Sequence, residues 1–355
     1  MNSRERILAV LSRESVDRLP VDIWCTDDVF DDLANHFQEE ESLALFKKAC
    51  IDKLVWVNPK YSQEKNEDSG KHENVVTTWG VHLKPVDAGK EVYLERDYSP
   101  FSSLDTLGQI EEYAGWPDPA LFDYDGAAAL AKEASESFIT LGPWVSFFEV
   151  YCGMRGLEQA MLDTVTQPDF VQAALDKIER LQTAMMTRFF DVAGTWIDCV
   201  FISDDMGGQQ NLLLSLDAWD FFFKARLERW CRLIHDYNIK VFYHSDGAIA
   251  PLIPRLIDAG IDILNPIQHL CRGMELRHLK DSFGEKIIFH GGIDNQRLLP
   301  YGTPDDVRRE TRRCLDILGA GNEGYICCSC HNIQHGTPVA NILAMIEAVT
   351  QSSCP

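Results

Sequence analysis

The residues best suited to chemistry lie in Lys240-Val-Phe-Tyr-His-Ser-Asp-Gly247, where an apolar β-run stops at His244 and Asp246 ahead of a glycine turn. Side chains two apart on a strand share a face, so this imidazole and carboxylate converge on one point while Ser245 faces away. Such a pair serves as two metal ligands or as an acid and a base. It equally serves a bland role, with the carboxylate capping a neighbouring helix and the histidine making one buried hydrogen bond. A second dense run, Cys327-Cys328-Ser329-Cys330-His331, adds soft donors. Alternation puts Cys328 and Cys330 on one face and Cys327 and Ser329 on the other, and His331 turns inward once the strand ends. Histidine, carboxylate and thiolate together make a zinc shell with an open position, so the metal candidates are His244, Asp246, Cys330 and His331.

Other candidates follow other apolar runs. Asp204 and Asp205 stand before Met206-Gly-Gly-Gln209, and either acid can cap a helix or point at a ligand. Two glycines there favour a tight turn with close backbone approach. Glu149 follows Phe147 and Phe148, where burial beside aromatic rings would raise its pKa and suit it to acid work; a solvated helix-start acid is the alternative. His290, before Gly291-Gly292, reads as a catalytic group or as a core histidine. Glu149, Asp205 and His290 are the catalytic candidates, and Trp24, Trp144, Asp204, Gln209, Asn265 and Gln268 the substrate-binding ones. No G-x-G-x-x-G follows a strand and no G-x-x-x-x-G-K-[ST] occurs, which argues against dinucleotide and P-loop chemistry.

The elements that must bring these groups together are eight short apolar runs: 19–24, 53–57, 138–142, 199–203, 240–244, 262–267, 287–292 and 325–330. From the third onward they alternate with helical patterns, which implies right-handed βαβ crossovers and a parallel sheet. Eight units match an α/β fold, a single (β/α)8 TIM barrel spanning 1–355, with every strand's C-terminal end opening on one mouth. Val75 to Pro85 and Gly89 to Arg96 read as two strands joined by a turn, a β-hairpin excursion after the second barrel strand. Thr303-Pro304-Asp305-Asp306 marks a helix start and Gly260 a helix end.

Composition bounds the partners. A formal net charge of -22 repels phosphate backbones and anionic lipid, so nucleic acid and membrane surfaces are not expected. No window reaches about 18 uncharged apolar residues, and charges interrupt the first residues, which predicts a cytoplasmic protein. Eleven cysteines without small-domain spacing read as reduced thiols.

Across nearly the whole chain these segments resemble the uroporphyrinogen decarboxylase superfamily, specifically its methyltransferase-like branch. The matching stretches are Arg4 to Ser12 with Asp17 to Val21, Asp204 to Gln209, His244 to Gly247 running through Asp262 to Gln268, Phe289 to Gln296, Leu299 to Pro304, and Gly324 to Met345. The resemblance implies a (β/α)8 barrel with its pocket at the C-terminal mouth. It also implies that true decarboxylases carry an arginine-rich loop after the first strand; here Trp24-Cys-Thr-Asp-Asp-Val-Phe30 holds two acids and no arginine. The methyltransferase branch is implied to exchange methyl groups with corrinoid proteins, using zinc held by a His-x-Cys pair and a later cysteine. His244 matches the first ligand, Asp246 replaces the cysteine, and the later ligand maps to Cys330 or His331. The Asp-x-His-x-x-Gly corrinoid signature is absent, so the expectation is zinc in this chain and cobalamin on a separate corrinoid protein, with a small methylated substrate or methyl acceptor in the mouth. A decarboxylase or lyase acting on a small carboxylate, and a non-catalytic binding barrel, are the alternatives. Oligomeric state is left open, a homodimer included.

Overall fold

The computed structural model describes residues 1–62, 74–87, 92–321 and 323–350. Seven strands form one parallel sheet in sequential order: Leu54–Trp56, Ile139–Val145, Cys199–Ser203, Lys240–His244, Ile263–Asn265, Ile288–Ile293 and Tyr325–Ser329. The first apolar run closes the ring without forming a regular strand. Val21 bridges Cys327 in parallel, Asp22 N donates to Cys327 O at 2.8 Å, and Asp52 N donates to Val21 O at 2.6 Å. The chain is therefore a (β/α)8 barrel.

Strands buried on both faces read as continuous apolar runs, and these do: Cys199–Ser203 and Tyr325–Ser329 are buried at every position. Trp24, Trp56, Phe201 and Phe242 stack inside the barrel, with neighbouring ring centroids 4.7 to 6.0 Å apart. The outer layer follows the sequence signals. Thr303 caps Pro304–Leu318 through a reciprocal box with Asp306, and Gly260 ends Ile253–Ala259 at φ 106°.

The excursion after Leu54–Trp56 is a three-stranded antiparallel sheet of Val75–Val76, His82–Asp87 and Val92–Tyr98, one strand more than the sequence pattern suggested. Thr77 to Val81 form a tight turn inside what reads as one strand. Gly80 there takes φ 78° and donates to Thr77 O at 2.8 Å. The expected turn at Gly89 lies outside the described residues.

Among the described residues no helix is long and apolar enough to cross a membrane.

Candidate metal and active site at the barrel mouth

His244 ends its strand and Asp246 follows in the loop, held by the backbone around it. Asp246 N donates to Asp205 Oδ1 at 2.9 Å, and Gly247 N donates to Gln268 Oε1 at 2.8 Å. Gly247 takes φ 91°, and a Cβ there would lie 2.6 Å from the Gly207 backbone, so the loops after two neighbouring strands pack backbone on backbone. That contact aims Asp246 at the mouth.

One ligand atom each from His244, Asp246 and His331 lie within 4.8 Å of one another. The His244 and His331 rings are 5.9 Å apart, and Asp205 Oδ1 lies 3.7 Å from His244 Nε2. Burial raises the Asp246 pKa and neighbouring Asp205 adds to this, while His244 and His331 oppose it. The donor chemistry fits zinc: two imidazoles and a carboxylate leave a fourth position open. His331 is exposed and its Nδ1 accepts from Asn332 N at 2.8 Å, so ligation through either ring nitrogen requires the ring to give up that bond.

Glu149 stands in the same mouth, on the first turn of Phe148–Arg155. Ser203 Oγ donates to its Oε2 at 2.9 Å. Its residue is open to the water of the mouth, but the surrounding walls still raise the carboxyl pKa; Asp205 adds to that, and Ser203 and His244 oppose it. Beside Glu149 lies a cleft of about 450 Å³ whose lining includes Trp144, Trp79, Val81, Phe122 and Met185. The antiparallel excursion supplies Trp79 and Val81, so it forms one wall of a largely apolar cleft next to a raised carboxyl.

Several sequence candidates are placed elsewhere. Cys330 does not join the metal cluster: regular pairing stops at Ser329, the alternation lapses, and the buried Cys330 Sγ donates to Ile267 O at 3.4 Å. Asp204 is fully enclosed and caps a helix. Its Oδ1 accepts from Ser146 Oγ at 2.7 Å, Phe148 N at 2.6 Å and Phe147 N at 3.0 Å; burial pushes its carboxyl up to about 7 against these donors. The helix it caps is the one carrying Glu149, so its carboxylate is engaged in positioning that acid. His290 is 0% exposed and lies below the mouth, bonded to Asp22 and Asn265. Asn265 is likewise buried, between His290 and His244. Gln268 holds the Gly247 loop, and Gln209 is an exposed rim residue accepting from Cys271. Trp24 covers the barrel centre, its ring 6.2 Å from that of His244.

Asp22 and Lys53 were not singled out from sequence. A carboxylate inside Leu19-Pro-Val-Asp-Ile-Trp24 and an ammonium beside Leu54-Val-Trp56 are the available signal, because a charge within an apolar strand must be paired. Lys53 Nζ donates to Asp22 Oδ1 at 3.1 Å. Burial pushes the Asp22 carboxyl up, but Lys53 and His290 outweigh it and hold it below its ordinary value. Asp22, His290 and Cys328 also cluster, yet Asp22 accepts from five donors and both His290 nitrogens are bonded, so no lone pair is left for a cation. In a third cluster, His269, Glu310 and Cys314, the carboxylate pairs with Arg313 at 2.7 Å and the thiol donates to Gly292 O.

A (β/α)8 barrel with imidazoles and carboxylates gathered at its strand ends has the layout of a barrel enzyme. The model of the uroporphyrinogen decarboxylase (URO-D) family matches residues 2–352, and the chain belongs to that family. A curated relative, methylated-thiol–coenzyme M methyltransferase of Methanosarcina mazei, is 21% identical over 281 residues, covering 78% of this chain and 68% of the relative. The solved structure of a methyltransferase from Methanosarcina mazei is 16% identical with a TM-score of 0.69, and the match covers 99% of both chains. At these identities the structural likeness establishes the fold.

Proposed function

We propose that this protein is a methyltransferase that exchanges a methyl group between a small molecule and the cobalamin of a separate corrinoid protein, with zinc held by His244, Asp246 and His331. The observation that carries this reading is the convergence of those three side chains at the mouth of a barrel similar in sequence and in fold to Methanosarcina mazei methyltransferase. When bound, zinc would supply Lewis acidity to a donor or acceptor atom of the substrate. Replacing a thiolate ligand by Asp246 hardens the set, which suits an ether or alcohol oxygen better than a thiol.

The chain's own residues do the rest. The cleft beside Trp144 and Trp79 binds the body of the substrate and excludes water from it. Glu149, with its raised pKa, remains protonated further toward neutral pH than an ordinary glutamate and delivers a proton to a leaving oxygen, or removes one from an attacking group in the reverse direction. Asp205 fixes the Asp246 backbone and faces His244 Nε2. A corrinoid protein docks over the mouth. In a tetrapyrrole decarboxylase reading, the acidic Asp27 and Asp28 at the start of Asp27–Phe37 would repel a polycarboxylate.

The test is metal analysis of the purified protein, joined to spectrophotometry of cobalamin on its partner corrinoid protein with candidate methyl donors. Stoichiometric zinc and a methylation-dependent change in the cobalamin spectrum support the proposal. A protein that binds no zinc and leaves cobalamin unchanged, while releasing carbon dioxide from a small acid, overturns it in favour of a lyase.

A further inference from the structure

Beneath the mouth, five buried side chains from five barrel segments form one continuous hydrogen-bonded line. We propose that Lys53, Asp22, His290 and Asn265 act as a tautomer lock on His244, holding it with the proton on Nδ1 and the Nε2 lone pair turned to the mouth. The function assigned to that lone pair rests on the reading of His244 as a metal ligand; the lock itself rests only on the hydrogen-bond geometry.

The proton positions follow one from another. Asp22 is a pure acceptor. Its Oδ1 takes Lys53 Nζ at 3.1 Å, Ile23 N at 2.7 Å and Leu54 N at 3.3 Å, and its Oδ2 takes Trp24 Nε1 at 2.8 Å. His290 Nε2, 3.1 Å from the same Oδ2, must therefore be an N–H. Burial lowers the His290 pKa, with Asp22 opposing, so the neutral ring has a lone pair on Nδ1. That lone pair meets Asn265 at 2.8 Å and must accept from the amide Nδ2. The amide orientation is then fixed, and its Oδ1 faces His244 Nδ1, which must donate. With Nδ1 carrying the proton, Nε2 is left with its lone pair, on the side where Asp205 lies 3.7 Å away and Asp246 and His331 gather.

Each link is buried: Asp22, His290 and Asn265 are 0% exposed, so a reversed arrangement would set like groups against each other away from bulk water. The alternative tautomer of His244 would set Asn265 Oδ1 against an unprotonated nitrogen, two acceptors facing each other without a proton. Lys53 earns its place at the far end, because it keeps Asp22 ionised and acceptor-only. The line thus explains a buried ammonium, a buried carboxylate and a buried histidine that the chemistry at the mouth does not itself use. They are positioning residues, acting through Asn265.

The test reads the tautomer directly. Protein with nitrogen-15 histidine, freed of metal and held at about pH 8 so that a free imidazole is neutral, is examined by long-range proton–nitrogen correlation spectroscopy, with His244 assigned by its loss in His244→Gln. The lock predicts a protonated-type shift at His244 Nδ1 and an unprotonated-type shift at Nε2. Asn265→Leu, close in volume and unable to hydrogen-bond, should release the ring to a tautomer mixture and weaken zinc binding about 10- to 100-fold, measured by chelator competition. A wild-type His244 found as the Nε2–H tautomer overturns the lock, even if Asn265→Leu fails to fold. So does an Asn265→Leu protein with unchanged shifts. If the wild type shows the locked tautomer but binds no zinc, the lock stands and the metal reading falls.

Discussion

Truncating Asp204 separates a helix-capping role from a ligand-binding one. In the folded protein its carboxylate receives Phe147 N, Phe148 N and Ser146 Oγ, and Glu149 N lies 3.3 Å from the same Oδ1. In Asp204→Ala the last of these keeps a partner, since Glu149 N also donates to Ser146 Oγ at 3.0 Å, and the hydroxyl can turn. Phe147 N and Phe148 N are left buried without an acceptor. At about 1–3 kcal/mol for each orphaned group, the gross cost is roughly 2–6 kcal/mol. Removing a carboxylate from a buried place offsets part of that, so a net loss of about 2–4 kcal/mol is expected. Asp204→Asn keeps one amide oxygen for Phe148 N and should cost about 1 kcal/mol. Urea denaturation followed by tryptophan fluorescence measures both. If the alanine variant is as stable as wild type, the capping argument fails. If the asparagine variant is fully stable yet loses all ligand binding in the mouth, Asp204 contacts ligand and the placement drawn here is refuted.

Three further outcomes follow from the same geometry. If Glu149 donates a proton, activity should fall as pH rises through a pKa above the ordinary glutamate range, because its folded pKa is raised; Glu149→Gln should abolish that limb, and an unchanged pH–rate profile would refute the assignment. Gly247→Ala places a Cβ at φ 91° and 2.6 Å from the Gly207 backbone, which should displace Asp246 and weaken zinc binding by isothermal titration while leaving secondary structure intact; wild-type affinity would show that the loop contact does not hold Asp246. Asp163→Ala removes the carboxylate that accepts Arg155 Nε at 2.6 Å and the Tyr151 hydroxyl at 3.1 Å, leaving a buried guanidinium; the loss should be about 3–5 kcal/mol by urea denaturation, and a loss under about 1 kcal/mol would contradict the burial of the pair.

The strands were legible because a parallel barrel buries both faces of each one, turning it into an apolar run with chemistry at its C-terminal end. Lys240–His244 and Cys199–Ser203 have the same bounds in sequence pattern and in structure. The first run at 19–24 was equally legible, although it closes the ring through isolated bridges. The excursion was read one strand short, since Thr77 to Val81 carry few of the turn residues that mark a break.

Side-chain roles divided along a different line. The convergence of His244 with Asp246 could be anticipated from the strand end and the glycine turn, although the strand stops at His244 and the contact of Gly247 with the Gly207 backbone holds Asp246 in the loop. Which later residue faces them could not be decided that way, because His331 and Cys330 are adjacent and their directions depend on where pairing with Ile288–Ile293 ends. Asp204 and Asn265 looked like substrate-binding groups and His290 like a catalytic one because polar residues at strand ends are the pattern of a barrel mouth. Their burial arises from contacts with Phe148–Arg155, with Asp22 and with one another, across up to 268 positions of chain.

Periodicity within one segment thus determined what each strand offers at its end, since the alternation of side chains is fixed by the backbone of that segment alone. Ring closure decided which of those offers meet, which are consumed in pairing below the mouth, and which remain open above it. That decision depends on inter-strand register and on the depth of each residue in the barrel, quantities that no local pattern carries.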